Sequence, residues 1–397
     1  MIKVTNYIIL ILLAGLVACN RDSLDDQLIK TDETDTSEGE RLSFKDKAKA
    51  TYDMIQTHYN EGDLYRENYP VQSGDNRYSY LWPYVGMLTA GNILYELGYD
   101  QSILEKEFIG LEAYYDAREK LPTYQAYPVS ENTTDHYYDD SAIVAMELIT
   151  AYRLTGNSFY LERAIEINEF IMSGEDSRLG GGLYWFEGES QGCQSGEFCI
   201  KAANTTAYAS FVASELYLET QETHYLEFAK KTYEWNYNTL RDPSDNLYFN
   251  EIHITTRQIN TTKWTYNAAM MIMAGLNLYR ITHEEAYLDH CKVTAQSSFS
   301  RFTRVANDQL FYPPHDSWFN VELMTSFTEL AEFDSNAKEY VRVFIRNLEY
   351  AWDHARNENG QFYEDWSGNN PGRYYWLLHQ AALIEGYGRA AIFEQNQ

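Results

Sequence analysis

Two neighbouring carboxylates, Asp139 and Asp140, stand in the run His136-Tyr137-Tyr138-Asp139-Asp140-Ser141-Ala142-Ile143-Val144-Ala145, set among aromatics just where an apolar-periodic segment begins. Consecutive Cα atoms are about 3.8 Å apart, so the two carboxyl groups can be held roughly 5 to 7 Å from each other. That interval includes the nucleophile-to-acid gap of a retaining glycosidase and only touches the range of inverting ones. One carboxylate, favoured as the anion near a helix N-terminus, can attack the anomeric carbon. Its neighbour, kept protonated by the adjacent charge, can donate to the leaving oxygen and afterwards activate water. An Asp pair at a helix start also has a plain structural use, as a cap and a partner of the helix dipole.

What must position the pair is a helix. Ile143, Val144, Met146, Leu148 and Ile149 recur as on a buried helix that runs to Thr155-Gly156, which puts both Asp residues at its first turn. Neighbouring residues diverge on a regular helix. The pair is therefore expected to face one sugar only if the backbone at Asp139 is still non-helical, as at a cap position.

Twelve helical segments are predicted: Phe44 to Tyr59, Leu81 to Leu97, Ser102 to Arg118, Asp140 to Leu154, Phe159 to Met172, Thr205 to Leu218, His224 to Leu240, Tyr266 to Ile281, Ala286 to Phe302, Asn320 to Phe333, Ala337 to Arg356 and Tyr374 to Ala391. Short links follow the even helices and links of roughly 15 to 30 residues the odd ones, well above the usual loop length. The short links carry an internal repeat: Arg153-Leu154-Thr155 before Tyr160-Leu161, Leu218-Glu219-Thr220 before Tyr225-Leu226, and Arg280-Ile281-Thr282 before Tyr287-Leu288. Six helical hairpins predict an all-α fold, an (α/α)6 toroid with an inner and an outer helix ring.

In such a ring every long link arrives at the N-terminal end of an inner helix, so the long loops share one face with Asp139 and Asp140. That face gathers Tyr78, Tyr80, Trp82, Tyr137, Tyr138, Tyr184, Trp185, Trp264, Tyr266, Tyr312, Trp318, Tyr363, Trp366 and Trp376. A sugar presents an apolar face of C–H bonds and an edge of hydroxyls, which aromatic planes flanked by polar groups match. Trp82, Tyr138, Trp264, Tyr266 and Trp366 are the rings expected to hold substrate.

The chain of 397 residues carries a net charge of −28 with pI near 4.6, which excludes nucleic acid and anionic polysaccharide as partners and favours a neutral glycan. No Cys-x-x-Cys or His-Glu-x-x-His pattern occurs, so no metal or other cofactor is expected. His136, His315 and His379 are read as hydrogen-bonding loop residues.

At the N-terminus, Lys3 leads into the apolar run Tyr7 to Val17 and then Leu16-Val17-Ala18-Cys19, which resembles a bacterial lipobox. Residues 1–18 are then a signal peptide and 19–41 a lipidated Cys19 with an acidic tether. Residues 42–397 form one catalytic domain, since no second linker interrupts them. A monomer anchored in the membrane through Cys19 is expected, at the periplasmic face of the outer membrane or at the cell surface. Cys193 and Cys199 are close enough in one loop to pair in such an oxidising compartment, and Cys291 reads as a buried thiol.

Tyr138-Asp139-Asp140, Leu154-Thr155-Gly156 before Tyr160-Leu161, Gly181-Gly182-Leu183-Tyr184-Trp185, Ala229-Lys230-Lys231-Thr232-Tyr233-Glu234-Trp235, Leu240-Arg241-Asp242-Pro243, Trp264-Thr265-Tyr266-Asn267 and Phe362-Tyr363-Glu364-Asp365-Trp366 together resemble glycoside hydrolase family 76, in the family's order and over most of the chain. The resemblance implies the same (α/α)6 barrel and retaining endo-hydrolysis of the α-1,6-mannose backbone of fungal mannan, with Asp139 as nucleophile and Asp140 as acid/base. Between Trp185 and Thr206 the chain departs from the family's tighter Ser-Asn-Gly/Ala-Pro-like run, and Asn204 is the residue that corresponds, as a substrate contact. Two alternatives share these features: a glycan-binding lipoprotein of an uptake system, which has no use for the Asp pair, and a transglycosylase of the same family.

Overall fold

Thr155, Thr220 and Thr282, the repeated threonines of the short links, each do the same thing in the computed structural model. Each hydroxyl donates to the carbonyl four residues back (Ala151, Leu216, Leu278) and accepts the backbone N–H two residues on (Asn157, Glu222, Glu284). The residue between, Gly156, Gln221 or His283, takes a left-handed φ of 70°, 60° or 59° and ends the helix. The sequence repeat is thus a tight reversal that lays an outer helix back on an inner one.

The structure describes residues 42–190 and 199–396. The signal peptide, Cys19, the tether and Cys193 lie outside the described residues. Twelve long helices follow: α1 Phe44–His58, α2 Leu81–Glu96, α3 Gln101–Leu111, α4 Tyr138–Thr155, α5 Ser158–Ser173, α6 Ala203–Thr220, α7 Thr223–Thr239, α8 Thr265–Thr282, α9 Glu285–Phe302, α10 Ser317–Leu330, α11 Ser335–His354 and α12 Leu377–Gln395. The even helices pack in a closed cycle, α2 on α4, α6, α8, α10 and α12, and α12 back on α2. Each odd helix lies outside, with α1 laid on α12. The chain is an (α/α)6 toroid.

The two rings differ as their surroundings require. Inner helices such as α6, with Ala207, Tyr208, Ala209, Phe211, Val212, Ala213 and Leu216 all buried, are apolar nearly all round because both faces meet protein. Outer helices bury one stripe; in α11 it is Ala337, Val341, Val343, Phe344, Leu348 and Ala351.

Two predicted helices run into strands at one end, for the same reason. The third stops at Leu111 rather than Arg118, because Tyr115–Asp116 pairs with Thr123–Tyr124 as an antiparallel ribbon. The last begins at Leu377 rather than Tyr374, because Tyr375–Trp376 pairs with Asn68–Tyr69. This second ribbon joins the loop after α1 to the loop before α12. A third, three-stranded sheet (Ile200–Ala202, Glu251–His253, Ile259–Asn260) fixes the loop before α6 against the loop before α8.

Candidate active site

The long loops meet over the N-terminal ends of the inner helices around a cavity of about 690 Å³. Its wall repeats with the helices. The second residue of five inner helices lines it: Trp82 of α2, Asp139 of α4, Asn204 of α6, Tyr266 of α8 and Trp318 of α10. So do the residues just ahead of the helices, Tyr80, Tyr137, Ala202, Trp264 and Trp376. Cβ atoms tilt toward a helix N-terminus, so side chains of the first turn overhang the cavity.

Asp139 and Asp140 both line the cavity, but not by the predicted route. The cap is Tyr137, with extended backbone (φ −100°, ψ 133°), and Asp139 is already helical. Neighbours in a helix diverge by about 100°. The pair still reaches one space: Tyr137, Asp139, Asp140 and Ile143 all line the cavity, while Tyr138 between them does not.

Asp139 is held from three sides. Its Oδ2 accepts hydrogen bonds from Asn204 Nδ2 at 2.7 Å and Trp185 Nε1 at 3.1 Å, and its Oδ1 accepts the Asp140 N–H at 3.1 Å. Burial pushes its pKa up to about 6, and these donors, Asn204 foremost, restrain the rise. Asp140 is pushed well above the usual carboxylate range, first by burial and then by the Asp139 charge. Asp139 is therefore the member that ionises first, and Asp140 keeps its proton beside it.

Trp185 is placed by backbone pairing. Its carbonyl accepts the Tyr138 N–H at 3.0 Å, and the His136 carbonyl accepts the Glu187 N–H at 3.0 Å. His136 is buried alongside, with Nδ1 3.3 Å from Glu187 and Nε2 3.7 Å from Asp116. Cys199, disulfide-bonded, precedes the strand that carries Ile200 and Ala202 to the cavity wall. Cys291 is a buried free thiol.

Of the predicted sugar-binding residues, Trp82, Asn204, Trp264 and Tyr266 line the cavity and two do not. Tyr138 is the first residue of α4. The same position in the other inner helices is Leu81, Ala203, Thr265, Ser317 and Leu377, all buried, and Tyr138 likewise turns under the helix onto Phe170, ring centroids 4.6 Å apart. Trp366 lies in the loop before α12, buried, with Nε1 donating to Ser317 Oγ at 3.0 Å and its ring against Phe344. Tyr184 and Tyr312 are buried as well.

Sequence reasoning missed Glu67, Tyr208, Asn250, Glu251 and Phe319, all on the cavity wall. Phe319 stacks on Tyr266 at 3.9 Å and lies near-parallel to Trp82 at 5.8 Å, so three helix starts build one aromatic wall. Its signal was available, since Phe319 follows Trp318 as Asp140 follows Asp139. Among the described residues no cluster of three or more His, Cys, Asp or Glu is placed to hold a metal ion.

A helical toroid whose mouth joins a buried and a half-buried carboxylate of unequal acidity to a wall of aromatic rings has the parts of a glycosidase. The model of glycosyl hydrolase family 76 matches residues 43–386, and the chain belongs to that family. The structure is similar to that of a family 76 α-mannanase, BT2949 of Bacteroides thetaiotaomicron, at 26% identity with a TM-score of 0.80, over 89% of this chain and 97% of that one. It has the fold of the family 76 mannosidase Bt3792 of the same species (23% identity, TM-score 0.80, 89% and 99% covered). It also has that of an inactive variant of the α-1,6-mannanase of Salegentibacter sp. HEL1_6, two adjacent Asp residues changed to Asn, in complex with α-1,6-mannotriose (22%, TM-score 0.74, 88% and 100% covered). No curated protein matches the chain.

Proposed function

We propose that this family 76 hydrolase is a retaining endo-α-1,6-mannanase acting on the backbone of fungal mannan. Asp139, the more acidic of the pair, attacks C1 of the mannosyl residue as its bond to the leaving sugar breaks. Asp140 gives its proton to the departing O6. In the second half Asp140, now the base, takes a proton from water, which attacks C1 and frees Asp139. Atoms balance to one added water per bond cleaved.

The observation that carries this is the unequal environment of two adjacent acids. Asn204 and Trp185 direct their N–H groups at Asp139 alone, while burial and the neighbouring charge keep Asp140 protonated. An adjacent Asp pair is also what is replaced in the inactive Salegentibacter variant that holds α-1,6-mannotriose. Trp82, Trp264 and Tyr266 offer planes for the flanking sugars. Lipidation of Cys19 and the 19–41 tether would present the single domain 42–397, as a monomer, at the outer membrane.

Linear α-1,6-mannan incubated with the protein should give oligosaccharides of several lengths on sizing. Asp139→Asn should abolish turnover while glycan binding persists, and residual activity within tenfold of wild type would sink the assignment. Incorporation of labelled fatty acid, lost in Cys19→Ser, tests the anchor.

A further inference from the structure

The cavity holds two more carboxyl groups, which the chemistry above does not use. Glu67 and Glu251 line it together with Asp139 and Asp140, and no Lys, Arg or His does so among the described residues. The two arrive by separate ribbons. Glu67 precedes the Asn68–Tyr69 strand, and its carbonyl accepts the Leu377 N–H at 2.8 Å. Glu251 begins the middle strand of the sheet ahead of α8.

The groups that bond these carboxylates are neutral. Trp376 Nε1 donates to Glu67 Oε1 at 3.0 Å. Asn250 and Asn260 side-chain amides donate to Glu251 Oε2 and Oε1 at 2.6 and 3.3 Å. Each bond fixes a carboxylate without cancelling its charge, and each acceptor retains lone pairs for a sugar hydroxyl. Both carboxylates are half-buried in the cleft, and the aromatic walls beside them reduce screening relative to open water.

Resting on the hydrolase activity proposed above, we propose that Glu67 and Glu251 determine specificity by charge: the cleft takes uncharged stretches of α-1,6-linked mannose and rejects stretches substituted with phosphate or another anion. A phosphate charge bound roughly 8 Å from one ionised carboxylate, at an effective dielectric near 20, is disfavoured about thirtyfold. Two such carboxylates compound the effect. A glycan bearing phosphate therefore becomes a substrate only after a phosphoester hydrolysis has removed the group, and that class of reaction must come first.

The test compares three ligands: α-1,6-mannotetraose, the tetraose with a phosphate monoester on O6 of its non-reducing end, and the dimethyl triester of that phosphate, as bulky but uncharged. Wild type should turn over the triester within about fivefold of the parent and the monoester at least a hundredfold more slowly. In the double variant Glu67→Gln, Glu251→Gln the triester-to-monoester ratio of kcat/KM should narrow by tenfold or more. Reading a ratio cancels any general loss in the variant, and the amide oxygen that Glu67→Gln introduces still accepts from Trp376. Equal rates for monoester and triester, or a ratio that the double variant leaves unchanged, overturns the charge mechanism. If wild type cleaves none of the three, the activity proposed above fails. Calorimetry with the same ligands then reads the ratio as Kd, and equal affinities, or no binding at all, overturn the charge mechanism too.

Discussion

Replacing Asn204 with Ala removes the shortest hydrogen bond to the proposed nucleophile, 2.7 Å from Nδ2 to Asp139 Oδ2. A hydrogen bond to a charged group is worth about 1.5 to 3 kcal/mol, and one pH unit corresponds to about 1.4 kcal/mol. Asp139 starts at about 6, because burial raises it and Asn204 is the first of the groups that lower it. In the proposed mechanism Asp139 attacks only as the anion, so a higher pKa withdraws activity from the acid side. The acid limb of kcat/KM should move up by about one to two pH units, with a loss of roughly five- to fiftyfold at pH 6 that recovers toward pH 8. Trp185→Phe, which removes the longer 3.1 Å bond, should move the limb in the same direction by less. Reducing-end release from α-1,6-mannan, followed from pH 4.5 to 9, reads the limb directly. A loss equal at every pH, with the limb unmoved, would refute the reasoning and leave Asn204 as a contact to sugar alone.

Two further outcomes concern stability. Glu147, buried in α4, accepts hydrogen bonds from Thr89 and Asn92 and is pushed up to about 7, chiefly by burial and then by the Glu385 charge. Its folded pKa lies above its unfolded one, so the stability carried by the protonated form is complete below about 4.5 and lost as pH rises through about 7. Wild type should melt lower at pH 8 than at pH 5, by an equivalent of about 2.5 kcal/mol from this group, and Glu147→Gln should flatten the slope; a slope that stays the same refutes it. Tyr138→Ala should cost about 3 to 5 kcal/mol in chemical denaturation, because its ring packs on Phe170 and closes over Gly174, where a Cβ would lie 2.9 Å from it. A wild-type denaturation midpoint with a raised KM would instead make Tyr138 a sugar contact.

Hairpin number, the closed ring and the Asp pair are legible because each leaves a local mark: Thr155, Thr220 and Thr282 at the reversals, and apolar periodicity through the inner helices. The strands leave none. Tyr375–Trp376 is held by Asn68–Tyr69 and Tyr115–Asp116 by Thr123–Tyr124, partners that no pattern within a few residues announces. That is why periodicity extends two helices too far, and why it says nothing of Glu67 and Glu251, which those loops and sheets deliver to the cavity.

Within the site, residue type is a poorer guide than helical phase. Tyr138 and Asp139 are adjacent, yet the first residue of an inner helix turns under it and the second overhangs the mouth. Trp82, Asn204, Tyr266 and Trp318 repeat the Asp139 position on four other helices, although two are indoles, one a phenol and one an amide. The sixth helix supports the same account. Its second residue, Leu378, is apolar and fully buried, and the turn reaches the cavity only through Trp376, one place ahead of the helix, where the ribbon to Asn68 holds it. Five positions of the ring thus present the second residue of a helix to the cavity, and the place where the ring closes presents the end of a strand.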